Sequence, residues 1–227
     1  MYQLIPWCIF CKVIKDHSNF ESKMQSCIDS GFDFHFAKKG NLVLTRWLPN
    51  TPSRLPLGPT HQVGVGCFVI HPNDDKLMLV VQEKTGPAAK YGLWKMPTGL
   101  LDPSEDIAQG AVRELKEETG LDGEMDAIMT FRQAHPGGDR GSDLFFICKM
   151  KLSCEVSQIQ KQEEEIAAIK WMTFDEYANQ ELWQNSPLYQ KMNQVMMATL
   201  ESGFTESKLE VGFRPGMQTM YLPKSSL

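Results

Sequence analysis

The fold this sequence predicts is an α/β/α sandwich on a mixed sheet, preceded by a small α+β domain. Three observations point there. Apolar runs at residues 61–70, 76–82, 125–133, 143–152 and 166–172 have strand length and end at turn residues. One amphipathic helix pattern falls among them, over residues 103–119. A stretch with prolines at 49, 52, 56 and 59 separates this set from a shorter helix-and-hairpin pattern.

The elements follow in order. Residues 1–14 show no periodicity. From 18 to 30, Phe20, Met24, Cys27 and Ile28 recur at helical spacing behind a Ser/Asn cap. Residues 32–37 and 41–47 read as strands joined by Lys39-Gly40. Beyond the prolines, Pro72-Asn73-Asp74-Asp75 forms a turn between the strands at 61–70 and 76–82. Residues 93–96 lead into the amphipathic helix. Three further strands follow it, then a short helix at 174–179 and a longer one at 187–200. The expected domains are therefore 1–60, a small α+β domain with its linker; 61–200, the sandwich; and 201–227, a C-terminal tail.

Composition excludes several classes. A 42% apolar and 22% charged content is that of an ordinary globular protein. The net charge is −5 with scattered basic residues, so general nucleic-acid binding is not expected. No apolar run is long enough for a membrane span. The first 14 residues lack a basic n-region and a small-residue cleavage site, so no signal peptide is expected. Six cysteines, two of them inside strand-like runs, suit a reducing, cytoplasmic compartment. Cys8-x-x-Cys11 is half of a zinc knuckle without a second half.

The helix pattern carries the chemistry. GLLDPSEDIAQGAVRELKEETGL, residues 99–121, holds six acids in 23 residues. Ile107, Ala108, Ala111, Val112 and Leu115 make its buried stripe, and Gly120 ends it. Asp102 is the expected N-cap, with Pro103 at N1 and Glu105 at N3. Glu114, Glu117 and Glu118 sit beside the stripe at offsets of three and four, where like charges repel. A hard divalent cation converts that repulsion into binding. Arg113 stands four residues before Glu117 and is placed to orient it.

Gly99, Glu105, Arg113-Glu114-Leu115, Glu117-Glu118 and Gly120-Leu121, at these spacings, resemble the complete Nudix box. Outside it, the stretches around GFDFHFAKKGNLVLTRWLP, HQVGVGCFVI, LWKMPTG and QKQEEEIAAIKWM resemble a subgroup with a pre-Nudix N-terminal domain. That subgroup includes plant ADP-ribose/NADH pyrophosphatases and the fibroblast-growth-factor-antisense protein. Pro97-Thr98-Gly99 departs from the wider family, many of whose members carry a second glycine there.

The resemblance implies the Nudix sandwich and a Nudix pyrophosphohydrolase, which splits a nucleoside diphosphate linked to another moiety. It implies Mg²⁺, with Mn²⁺ as a substitute, on Glu114, Glu117 and Glu118 with the Gly99 carbonyl as a fourth ligand. Glu117, Glu118 and Arg113 are then catalytic candidates. Glu105 is read as a capping carboxylate, with metal contact the alternative. Glu165, in the run Glu163-Glu164-Glu165, stands where some members place a general base; a solvated acidic run is the other reading. Arg132, His135 and Arg140 flank a glycine-rich loop and are the substrate-binding candidates.

ADP-ribose and NADH lead as substrates, with AMP as product, by subgroup resemblance. The signatures of dedicated NADH pyrophosphatases, of coenzyme A enzymes and of dinucleoside-polyphosphate enzymes are all missing. A homodimer is expected by analogy with ADP-ribose-type relatives. The alternative function is a Nudix-fold nucleotide-binding or regulatory protein of low turnover. An intact acid set favours the enzyme.

Overall fold

The computed structural model describes residues 8–14, 19–56, 58–135, 141–212 and 215–226. The chain divides into two compact units, Met1–Thr60 and His61–Leu227.

In the first unit β1 (Cys8–Ile14), α1 (Phe20–Asp29), β2 (Asp33–Lys38) and β3 (Asn41–Trp47) follow one another, the strands forming an antiparallel sheet in the order β1-β3-β2. Helix and hairpin are where the spacing predicts them. β1 is not, because an apolar run without alternation gives no period to read. Its identity comes from its partner, with pairing from Cys8↔Trp47 to Ile14↔Asn41. Strand geometry also answers the zinc question. Cys8 and Cys11 are three residues apart on one strand, so they point to opposite faces and cannot share an ion.

The second unit runs β4 (His61–His71), β5 (Asp74–Glu83), α2 (Gly86–Lys90), β6 (Thr98–Leu100), α3 (Ile107–Thr119), β7 (Gly123–Ala134), β8 (Ser142–Leu152), β9 (Ile166–Thr173), α4 (Phe174–Ala178), α5 (Glu181–Gln184), α6 (Pro187–Ala198), β10 (Phe204–Glu210) and β11 (Met217–Pro223). The strands make one mixed sheet in the order β11-β10-β7-β8-β4-β5-β9, with β6 paired to β4. β4 and β8 are parallel, and the remaining pairings are antiparallel. Among the described residues no helix is long and apolar enough to cross a membrane.

Alternation along the strands sorts the core onto two faces. Val65, Cys67, Val69, Leu79, Ile128 and Cys148 meet Ala111 and Leu115 of α3. Phe68, Met78, Val80, Met129 and Ile147 meet Tyr177, Trp183 and Met196. Helix, sheet and helices thus stack in three layers, the α/β/α sandwich expected from the sequence.

Two boundaries differ from expectation. Residues 201–227, expected as a tail, carry the hairpin β10–β11, and Phe204 extends the sheet by pairing with Ile128 of β7. α3 begins at Ile107 behind Asp106, not behind Asp102. The reason is local: residues 102–105 close a turn through Glu105 N–H to the Asp102 carbonyl, with Ser104 at φ 71°. Gln109 then accepts from the Asp106 N–H at 3.0 Å, as a capping box requires.

Candidate active site

The site is built where α3 crosses β6. Gly110, Glu114 and Glu118 succeed one another every four residues and form the buried edge of the helix facing that strand. Glu114 is 9% exposed and Glu118 4%, whereas the Glu117 side chain, one step around the helix, is 51% exposed. Gly99 allows the approach. A Cβ there would lie 1.9–2.2 Å from the Glu114 carboxylate, so any side chain would displace it. Gly120 adopts φ 73° and ends the helix, as expected.

Arg113 organises the acids. It donates bidentately to Glu105 (Nε to Oε1 and Nη2 to Oε2, both 2.8 Å). Its Nη1 reaches Glu114 at 2.7 Å and Glu117 at 3.1 Å, and Nη2 also donates to the Leu100 carbonyl. Arg113 therefore holds three carboxylates rather than Glu117 alone. Glu105, freed from any place in the helix, accepts from the Asp102 N–H and from Arg113, which hold its carboxyl below the usual range against the opposing effect of burial.

Glu118 has different partners. It accepts from the Thr98 N–H at 3.1 Å and lies 3.9 Å from Lys95 Nζ, which pairs with Glu83 at 2.9 Å. Burial pushes the Glu118 carboxyl up to about 7, against the pull of Lys95 and Thr98. Burial raises Glu114 as well, opposed by Arg113. Sequence reasoning passed over Lys95 and Glu83. The signal for Lys95 was a single cation within the apolar run 93–96.

The chemistry of this donor set suits a hard divalent cation. Glu83, Glu105, Glu114, Glu117 and Glu118 are five carboxylates held by two cations, Lys95 and Arg113. Buried negative charge left in excess is costly, and oxygen is what such an ion takes. As they stand, no three His, Cys, Asp or Glu side chains among the described residues are gathered closely enough to hold a metal. Arg113 engages one oxygen of Glu114 and one of Glu117, leaving the other oxygen of each without a contact from it.

Beside Lys95 and Thr98 opens a cavity of about 150 Å³ between the sheet and α4–α6. Phe145, Tyr177, Trp183 and Tyr189 supply aromatic walls, and Arg132 and Asn193 supply polar groups. The Trp183 indole N–H is buried without a hydrogen-bond partner, and Asn193 is 7% exposed. Tyr189, Met192, Asn193 and Met196 share one face of α6 at offsets of three, four and seven, so a polar residue interrupting an apolar stripe marked Asn193 in the sequence.

The other expected residues are dispersed. Arg132 reaches the cavity with its guanidinium 5.3 Å from the Phe145 ring centre and 2.8 Å from Asp143. His135 sits at the end of β7, 2.7 Å from the Ser142 hydroxyl and outside the residues lining the cavity. Arg140 lies outside the described residues. Glu165 is exposed on the loop whose Gln162 N–H binds the Glu118 carbonyl at 3.2 Å, and its own carbonyl accepts from Lys84. Its neighbour Glu163 is paired with Lys161 at 2.7 Å.

The chain is similar to several known proteins. The family model described as NUDIX domain matches residues 60–192. Nudix hydrolase 2 of Arabidopsis thaliana is 43% identical over 196 residues, 85% of this chain and 69% of its own length. Nucleoside diphosphate-linked moiety X motif 6 of Homo sapiens is 35% identical, over 83% of this chain and 58% of that protein. Among solved structures, a NUDIX hydrolase from Nitrosomonas europaea aligns at 23% identity over 60% of this chain and 88% of its own, with a TM-score of 0.48.

Proposed function

The chain belongs to the NUDIX domain family, and from that premise we propose that it hydrolyses the pyrophosphate bond of a nucleoside diphosphate derivative, ADP-ribose or NADH first among them, releasing AMP. One observation carries the reading: Glu114 and Glu118 are buried against a strand that glycine at 99 lets them touch, in a cluster where carboxylates outnumber cations.

The ion we assign is Mg²⁺, with Mn²⁺ as a substitute, held by Glu114, Glu117 and Glu118 and the Gly99 carbonyl. Bound there, it neutralises phosphate charge and makes water easier to deprotonate. The protein's own groups do the rest. Arg113, anchored on Glu105, sets the positions of Glu114 and Glu117. We assign the general base to Glu165 from the family resemblance; its exposed loop is tied to α3 through the Gln162 N–H and the Glu118 carbonyl, and reaching the attacking water requires that loop to move. Glu163 is tied to Lys161 and held low by it, which makes it the poorer base.

The cavity takes the base of the nucleotide. Its volume is about 150 Å³, enough for one ring of a purine, with the rest of the base reaching the cavity mouth. Its aromatic walls suit stacking, the Trp183 N–H donates, and the Asn193 amide both donates and accepts, as an adenine edge requires. Arg132 and Lys95, which line the same cavity, are the cations we assign to the phosphates. By analogy with ADP-ribose-type relatives the protein is read as a homodimer, which sedimentation of the purified chain tests; the free cysteines support reading its compartment as the reducing cytoplasm.

Release of AMP from ADP-ribose, NADH, coenzyme A and capped RNA, each with Mg²⁺ and with EDTA, tests the reading. Mg²⁺-dependent cleavage of the first two is expected. The Arg113 pairing that occupies Glu114 and Glu117 favours a second reading, a nucleotide-binding protein of low turnover. Binding of ADP-ribose without cleavage of any substrate selects it.

A further inference from the structure

The smaller unit holds a sulfur pair that the hydrolytic site does not use. Cys11 of β1 and Cys27 of α1 have their Sγ atoms 2.9 Å apart, both partly buried and 16 residues apart in sequence. A disulfide bond is about 2.05 Å long, so closure asks for roughly 0.9 Å of movement. The other cysteines are placed differently. Cys67 and Cys148 are fully buried beneath α3, and Cys154 is engaged with the Asp122 backbone.

We propose that Cys11 and Cys27 are a dithiol modification site, oxidised by a disulfide of the glutathione class to an intramolecular bridge between β1 and α1. One thiol gives up its proton and attacks a sulfur of the oxidant, forming a mixed disulfide and expelling one glutathione thiolate. The second protein thiol, already in contact, attacks the protein-borne sulfur and expels the other glutathione. Two protein thiols are oxidised, one glutathione disulfide is reduced to two thiols, and the two protons leave with them. The Cys27 thiol is held above its ordinary range by its hydrogen bond to Cys11 and by burial, which lowers its thiolate fraction, so the exchange should speed up as pH rises.

Bridging removes chain entropy from a loop of this size in the unfolded state, so the oxidised unit should open less often. The test uses the full reduced chain, incubated with glutathione disulfide, acid-quenched, alkylated and mapped without reduction. The expected result is a peptide linking Cys11 to Cys27, lighter by two hydrogens and free of glutathione, with amide exchange over residues 20–47 slowed about tenfold or more. Cys154→Ser leaves the bridge intact, whereas Cys11→Ser or Cys27→Ser abolishes it. Separate alkylation of both thiols, stable glutathione adducts on each, or a Cys8–Cys11 bridge overturns the proposal. The wild-type map decides it even where a variant misfolds.

Discussion

The Gly99 backbone and the Glu114 carboxylate are in direct contact, so close that a Cβ at residue 99 would fall 1.9 Å from Glu114 Cδ. Gly99→Ala therefore has one outcome at the site: the carboxylate leaves. Turnover should fall about 100-fold or more, the scale of losing one preorganised electrostatic group. Overpacking should cost about 1–3 kcal/mol of stability. Activity assayed well below the melting temperature separates the two effects, and near-normal turnover would mean that Glu114 is not needed where it stands.

Arg113→Lys keeps the charge but loses the fork that grips Glu105 at two points. The account predicts a fall in kcat of about 10–100-fold, typical of losing a group that orients ligands, with KM little changed. A rise in KM alone would put Arg113 on the substrate instead.

Asn193→Ala removes a polar group from the wall of the cavity. An unmet hydrogen bond at a buried site costs about 1–3 kcal/mol, so KM for ADP-ribose should rise about 5- to 150-fold while kcat holds. An unchanged KM would place the base elsewhere.

Asp126 reports on the far side of the sheet. Burial alone would raise its carboxyl, but Lys224 at 2.8 Å and Lys151 at 3.3 Å hold it below its ordinary value. A lowered native pKa stabilises the fold at pH above the unfolded value, about 3.9, and that contribution disappears as pH falls through the native one. Asp126→Asn should lose about 1.5–3 kcal/mol at pH 7. Urea melts at descending pH should show the gap to wild type closing below about pH 4. A gap independent of pH would assign the loss to packing.

Glu117→Gln should lower turnover by about two orders of magnitude. Steady-state AMP release measures it, and rates near wild type would remove Glu117 from the ligand set.

Much of this was legible in the sequence because it is periodic or local. The α3 stripe, the Gly120 end and the strand runs all follow from spacing that the backbone enforces. What escaped depends on partners far away in the chain. β1 needs β3 to be a strand at all, and the β10–β11 hairpin joins the sheet only through Phe204 and Ile128 of β7. The start of α3 moved because Glu105 found Arg113 and the Asp102 N–H more rewarding than a helix terminus. Lys95 and Glu83 join the site only when β5 and the segment after it pair, through Val81 and Lys95. Trp183 and Asn193 reach the cavity from the final helices, nearly a hundred residues beyond Lys95.

The central claim is that α3 presents oxygens able to seize a divalent ion. Electron paramagnetic resonance of Mn²⁺ titrated into the full chain tests it most directly, since bound and free ion are counted without turnover. The account predicts saturable binding to the wild-type chain, weakened about tenfold or more in Glu118→Gln and in Glu114→Gln and displaced by Mg²⁺. Equal binding in wild type and both variants, or none in any of them, would contradict it.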